Sequence, residues 1–303
     1  MKWLACAALS LERWAVHAFS TRLGARGGGL ARGLNLGFTP GESRARVERN
    51  RTAFFRAMGA RGFDLAEIRQ VHSTLIYRVR RGERGVIEYL PSGYPPGEGQ
   101  GPPQGDALMT DEPGILLAVR TADCVPVLLL DSRRRAVAAI HAGWKGMLGG
   151  IVEKTAGEMR RQFGSRPGDL FAAVGPSIGV CCYEVGEEVA EHFRGGFAGG
   201  ENFVVSGEIE DAGGPAQKRA PYPPPFLSKT PPGHGPDPAP RPHLDLVATA
   251  RYQLLRAGVL SSHIAVAGFC TASRTDLFFS YRKEGSHTGR MMSVIGIRRS
   301  GKR

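Results

Sequence analysis

The sequence predicts an α+β fold, mixed β-sheets packed with helices on the outside in a layered α/β/β/α sandwich, as a single domain over residues 1–303. Three observations predict it. Strand-like and helix-like segments are intermixed rather than strictly alternating, which favours a mixed sheet with helical cover over a parallel barrel. The 303 residues are 42% hydrophobic, enough to bury a sizeable core. Two apolar runs in mid-chain, "VPVLLLD" and "AVAAIHAGW", have strand length and are separated by the turn-forming "DSRR".

Along the chain, the N-terminal "MKWLACAALSLERW" is too short in its apolar stretch for a signal-peptide core and reads as a first strand. Residues 14–38 read as a strand entering a glycine-rich loop that fits neither a dinucleotide nor a P-loop fingerprint. Residues 43–59 have helical periodicity, with Val47, Phe54, Phe55 and Met58 available to one face. "EIRQVHSTLIYRV", 67–79, alternates like a strand and carries His72. Residues 91–105 hold five prolines and five glycines and read as a surface loop. Beyond the two central strands come a helix at 149–163, a strand "LFAAVGPSIG" and a helix at about 185–194. Residues 207–243 hold eleven of the 21 prolines, have no periodicity and read as an insertion. "HLDLVATARYQLLRAGV" is an amphipathic helix with Leu246, Ala250, Leu254 and Leu255 on one face, and strands "HIAVAGFC" and "MMSVIGI" close the chain.

Composition narrows the function. The net charge of +12 suits an anionic partner, but it is carried by arginine, with seven lysines, and no aromatic-interleaved basic stripe supports nucleic-acid binding. No segment approaches the ~20 apolar residues of a membrane span, so no membrane partner is expected and the location expected is cytoplasmic. Five cysteines, an odd number at irregular spacing, point to reduced thiols rather than a disulfide framework.

One pair of residues stands out in the central hairpin. With Ser132 and Arg133 as its turn, Cys124 falls directly opposite His141, where one metal ion could bridge them. A buried cysteine beside a hydrogen-bonded histidine remains the competing reading. For a third ligand, His72 leads because it stands in an apolar strand, and His17 competes; His192, His234, His243, His263 and His287 lie in polar, helical or loop contexts and read as solvated.

The segments "FSTR", "LNLG", "NR", "QVHS", "GDALMT", "TADCVPVLLLD", "AAIHAGWKG", "VGPSIGVCCYEVG" and "FCTASRTDLFFSYRKEGSHTGRMMSVIGI" occur in the order of the YfiH-like family. This chain resembles that family from about Val16 to Ile297. Its members are also labelled laccase-domain proteins, polyphenol oxidases or peptidoglycan editing factors, and are related to purine nucleoside phosphorylases. The resemblance implies one YfiH-like catalytic domain holding Zn2+ through His72, Cys124 and His141. It implies phosphorolysis of adenosine, inosine and methylthioadenosine to free base and ribose 1-phosphate, with adenosine deamination as a side activity. The two Pro-rich loops exceed the family pattern.

The residues agree with this chemistry in part. Three protein ligands leave an open position, as in catalytic zinc sites. Multicopper oxidase chemistry uses roughly ten histidines, many in His-x-His pairs; this chain has eight and no such pair. Asp123 beside Cys124 is a candidate proton shuttle. Arg22, Lys145, Arg282 and Arg290 are candidate phosphate ligands, and Tyr183 and Phe279 could stack on a purine. Two other readings stay open: a hydrolase editing peptidoglycan precursors with Cys124 and His141, and a basic RNA- or partner-binding protein.

Overall fold

The computed structural model describes residues 1–24, 33–83, 85–92, 103–206 and 241–299. Two compact units are formed, one by Met1–Gly179 with Leu246–Arg303 and one by Val180–Asp245. In chain order the first unit contributes β1 (Trp3–Leu4), α1 (Ala7–Ser10), β2 (Ala15–Ser20), α2 (Arg44–Ala57), β3 (Asp64–Ala66), β4 (Ile76–Arg81), β5 (Ile87–Pro91), β6 (Ala107–Thr110) and β7 (Ile115–Thr121). It continues with β8 (Val125–Asp131), β9 (Ala136–Ala142), α3 (Trp144–Leu148), α4 (Ile151–Phe163) and β10 (Leu170–Val174). The second unit holds α5 (Glu187–Gly196), β11 (Val204–Val205) and β12 (His243–Leu244). The first resumes with α6 (Leu246–Arg256), β13 (Ile264–Val266), α7 (Tyr281–Glu284) and β14 (Met291–Ile297).

The first unit is built on a five-stranded sheet, β1-β2-β14-β7-β3, and a seven-stranded sheet, β13-β10-β8-β9-β6-β4-β5. Both are mixed, with β3–β7, β4–β6 and β10–β13 parallel among antiparallel neighbours. Strand alternation assigns the layers. Ile115, Leu117 and Val119 of β7 and Ile295 and Ile297 of β14 share one core with Leu128 and Leu130 of β8 and Val137 and Ala139 of β9. One residue along, Leu116, Ala118, Met292 and Val294 turn to the opposite face, where Phe54 and Met58 cover them. On the far side of the larger sheet, α4 packs on β9 and α6 on β8. The order is therefore helix, sheet, sheet, helix, as the sequence predicts.

Local chemistry sets the element ends. Gly164 closes α4 in the left-handed conformation at φ 68°, its N–H donating to the Arg160 carbonyl. In α2, Val47, Arg51 and Phe54 form the buried stripe, so a guanidinium lies among apolar neighbours and must find a partner there. In the second unit, β11 and β12 pair antiparallel, and Phe197 stacks on Phe203 and meets Phe193 edge-on.

Several expectations need correction. The N-terminal segment is a two-residue strand followed by the short helix α1. The strand expected over 67–79 begins only at Ile76, so His72 lies in irregular chain, and the one expected from Leu170 ends at Val174. Leu255 leaves the buried face of α6 at 40% exposure; Leu246, Ala250 and Leu254 stay on it together with Gln253, whose Nε2 donates to the Met147 carbonyl. Most of the loops at 91–105 and 207–243 lies outside the described residues, as does His234. Among the described residues no helix is long and apolar enough to cross a membrane.

The corrected face of α6 sets two unlike costs. Leu254→Ala is expected to lower unfolding free energy by about 2–5 kcal/mol in denaturant titration, and Leu255→Ala to change it by no more than about 0.5 kcal/mol. Equal losses at both positions would contradict the assignment.

Candidate metal centre

At one end of the sandwich the chain passes from β7 in the smaller sheet to β8 in the larger through Ala122, Asp123 and Cys124 alone. So tight a crossing bends the backbone: Asp123 has φ 95°, and its carbonyl accepts the Ile178 N–H at 2.8 Å. The Asp123 carboxylate accepts from Thr271 Oγ1 and from the Arg282 N–H, both at 2.7 Å. Those bonds fix the crossing. As a proton shuttle, the expected role, Asp123 would work through its remaining lone pairs.

The β8–β9 register differs from the expected one. Asp131 pairs with Ala136 and Pro126 with His141, so the turn is Ser132–Arg135 rather than Ser132–Arg133. Its cause is the Asp131 side chain, whose Oδ1 accepts the N–H groups of both Arg133 and Arg134 at 2.8 Å, with Arg135 left-handed at φ 54°. The pairing is displaced by two residues. Because side chains alternate with period two, Cys124 and His141 keep the same face as diagonal neighbours instead of directly opposed ones.

His72 arrives from the segment before β4, itself left-handed at φ 59°. The buried carboxylate of Asp106 holds it there. Oδ1 of Asp106 accepts the His72 N–H at 3.1 Å, while Oδ2 accepts from Ser73 N at 2.6 Å, Ser73 Oγ at 2.7 Å and Val71 N at 3.3 Å. Asp106 Oδ1 also lies 2.8 Å from His141 Nδ1. An ionised carboxylate only accepts, so His141 donates through Nδ1 and presents Nε2 as the free ligand atom. Burial pushes the Asp106 carboxyl up, but the bonds from His141 and Ser73 outweigh it and hold it below the usual carboxylate value.

The ligand atoms of His72, Cys124 and His141 all lie within 4.8 Å of one another. Cys124 Sγ is 3.6 Å from His72 Nε2, and the two imidazoles meet edge-on at 4.9 Å. A tetrahedral ion with bonds of about 2.0–2.3 Å sets its N and S ligands about 3.5 Å apart, so the donor set fits a divalent metal. Gly143 completes the cradle. A Cβ there would stand 2.5 Å from His72 Cδ2 and 3.2 Å from Cys124 Sγ.

In the metal-free protein, burial pushes the Cys124 thiol up, but the imidazoles of His141 and His72 outweigh it and lower it to about 6. Burial pulls His141 down, yet the Cys124 thiolate and Asp106 outweigh that and raise it to about 9. His17, the competing ligand, lies instead between the sheets in β2, where its Nε2 accepts the Cys6 N–H at 2.9 Å and burial lowers it to about 4.

The other expected site residues are spread unevenly. Arg290 is half-buried, with Nη1 donating to the carbonyls of Thr288 and Gly289. Arg282 is exposed on α7, joined to Asp123 through its backbone, and Lys145 is exposed on α3 near the Trp144 ring. Arg22 is engaged with Thr275 O at 2.6 Å and Glu284 Oε1 at 2.8 Å, and lies over the Phe279 ring. Phe279 is fully buried, a core aromatic rather than one open to stack on a purine. Tyr183 belongs to the second unit, where its carbonyl accepts the Leu244 N–H. Of the histidines expected to be solvated, His243 and His263 are half-buried and bonded to the carbonyls of Val180 and Leu170. Sequence reasoning missed Asp106 and Gly143. Both lie inside the quoted segments "GDALMT" and "AAIHAGWKG", but spacing alone does not bring them to the site.

The family model described as "Multi-copper polyphenol oxidoreductase laccase" matches residues 16–298. A purine nucleoside phosphorylase of Deinococcus radiodurans is 36% identical over 283 residues, covering 93% of this chain and 89% of the relative. Adenosine deaminase RL5, from an unknown prokaryotic organism, is 33% identical over 282 residues, covering 92% and 93%. The crystal structure of YlmD from Geobacillus stearothermophilus superimposes with a TM-score of 0.74 at 29% identity, covering 99% of this chain and 97% of that one.

Two measurements check the cradle. Gly143→Ala should weaken zinc binding at least about tenfold in competition with a chromogenic chelator, because its Cβ displaces His72; unchanged affinity would show that the loop yields freely. Between about pH 6 and 9 the metal-free pair is thiolate and imidazolium. Zinc binding in that window should release about one proton, from His141, in calorimetry across buffers of different ionisation enthalpy. Release of two would mean that Cys124 and His141 both carry a proton in that window, and release of none that neither does.

Proposed function

The chain belongs to the family described as multi-copper polyphenol oxidoreductase laccase, and from that premise we propose that it is a zinc-dependent purine nucleoside phosphorylase. It would cleave adenosine, inosine and methylthioadenosine with phosphate to the free base and the (methylthio)ribose 1-phosphate, with adenosine deamination as a side activity, in the cytoplasm. The observation that carries this reading is the convergence of His72, Cys124 and His141 at one point. Relatives named purine nucleoside phosphorylase and adenosine deaminase match this chain over nine-tenths of its length or more. Despite the family's description, eight histidines with no His-x-His pair do not supply a multicopper cluster.

When bound, zinc supplies a Lewis acid that polarises a substrate oxygen or acidifies a water. The chain's own residues set the rest. Cys124 and the two imidazoles would hold the ion, three protein ligands being the pattern of catalytic rather than structural zinc. Asp106 fixes the His141 tautomer through the Nδ1 bond. Asp123 holds the Cys124 backbone through Thr271 and Arg282 and is assigned the proton transfer of deamination. Arg290, Lys145, Arg282 and Arg22 are assigned to the anionic co-substrate and Tyr183 to the nucleoside, with guanidinium suited to phosphate by its paired donors.

Zinc-loaded protein incubated with adenosine and inorganic phosphate should release adenine, followed by chromatography. His72→Ala and Cys124→Ala should each abolish that release. Unchanged activity in both would overturn the assignment, and full activity in metal-free protein would return Cys124 and His141 to the role of a nucleophile pair.

A further inference from the structure

Beside the metal centre, on the face of the five-stranded sheet that α2 covers, three arginines far apart in sequence gather around one carboxylate. Arg51 comes from the buried stripe of α2, Arg120 from the end of β7, and Arg290 stands immediately before β14. Arg120 pairs with Met292 across the β7–β14 ladder, so Arg290, two residues from Met292, is its diagonal neighbour on the same face.

The carboxylate is Glu67, and Arg51 takes both of its oxygens, at 2.7 and 3.1 Å, while Arg51 Nε donates to the Leu36 carbonyl at 2.8 Å. Arg120 Nε stays 3.7 Å from Glu67 Oε1, longer than a hydrogen bond. Arg120 donates through Nη2 to the Ile68 carbonyl, and Arg290 through Nη1 to Thr288 and Gly289. Among the described residues, Nη1 of Arg120 and Nε and Nη2 of Arg290 have no hydrogen-bond partner, and none of these atoms is sealed from solvent. The cluster therefore carries two guanidiniums beyond the one that Glu67 neutralises. Burial lowers both Arg120 and Arg290; Glu67 offsets part of this at Arg120 and Cys124 part of it at Arg290, while Arg51 adds to it at Arg120 and Arg120 adds to it at Arg290.

The backbone around Arg290 is fixed for this purpose. The fully buried Asn35 accepts the Arg290 N–H at 2.9 Å and the Gly37 N–H at 3.0 Å through Oδ1, and the Arg290 carbonyl accepts the Leu36 N–H. Gly37 packs so closely that a Cβ would stand 2.6 Å from Arg290 Cβ and Cγ. Two residues past Arg120 the chain enters the Ala122–Cys124 crossing, which places the cluster at the same end of the sandwich as the ligands.

We propose that Arg120 and Arg290 form the subsite for the phosphate co-substrate, with the Arg51–Glu67 pair as a rigid buttress behind them. Two planar forks with free N–H groups match the oxygens of a phosphate dianion. The proposal rests on the phosphorolysis reading and adds Arg120, which no motif pointed to.

Calorimetric titration of the zinc-loaded protein with inorganic phosphate tests it. Arg120→Met and Arg290→Met should each weaken phosphate binding at least about tenfold, with zinc content and melting temperature retained, and Arg120→Lys should keep part of the affinity. In turnover the KM for phosphate should rise while the KM for adenosine holds. Phosphate affinity unchanged in folded, zinc-loaded variants, or absent in the wild type, would overturn the subsite. Phosphate binding that depends on both arginines in a protein that releases no base would sustain the subsite and overturn the phosphorylase reading instead.

Discussion

Everything at the candidate metal centre hangs on the buried carboxylate of Asp106. It accepts from four N–H or O–H groups of Val71, His72 and Ser73 and faces His141 Nδ1, so one side chain positions two of the three ligands. A carboxylate without exposure is costly unless fully bonded, and here the bonds that repay its burial are the ones that shape the site. The strained His72 backbone is held in place by the same group.

Around that anchor, the sandwich supplies the approach of the third ligand. β7 and β8 belong to different sheets, and the three residues joining them deliver Cys124 to the end of the inter-sheet core. Gly143, two residues after His141, is small enough for the His72 ring to pass over it. The same end of the smaller sheet carries Arg120 and Arg290, whose ladder positions follow from the β7–β14 register. The backbones of Cys124, Arg120 and Arg290 thus share a frame set by the β7–β14 ladder and the crossing that follows β7.

Much of the fold was legible because apolar runs of strand length survive burial on both faces: every residue of β8, β9 and β14 is buried. The hairpin shows where legibility stops. Its strands were readable, but the register moved by two because Asp131 bonds two N–H groups of the turn, a choice spacing does not reveal. Cys124 and His141 stayed on one face only because the displacement was even. His72 led as third ligand on the expectation of a strand, and the family motif agreed with it; the strand is not there, since a left-handed residue tied to a distant carboxylate leaves no periodic trace. Asp106, Gly143 and Arg120 act through contacts across 19 residues or more of chain, and a single sequence does not encode those as spacing. Arg51 did leave a signal, a charge inside the apolar stripe of α2.

That Asp106 organises the three side chains proposed to hold zinc is tested by the zinc affinity of Asp106→Asn, measured by chelator competition on protein shown to be folded by near-ultraviolet circular dichroism. The account predicts a loss of about 10–100-fold, because the amide no longer offers an anionic acceptor to His141 and to the loop of His72. Zinc affinity equal to that of the wild type would contradict it.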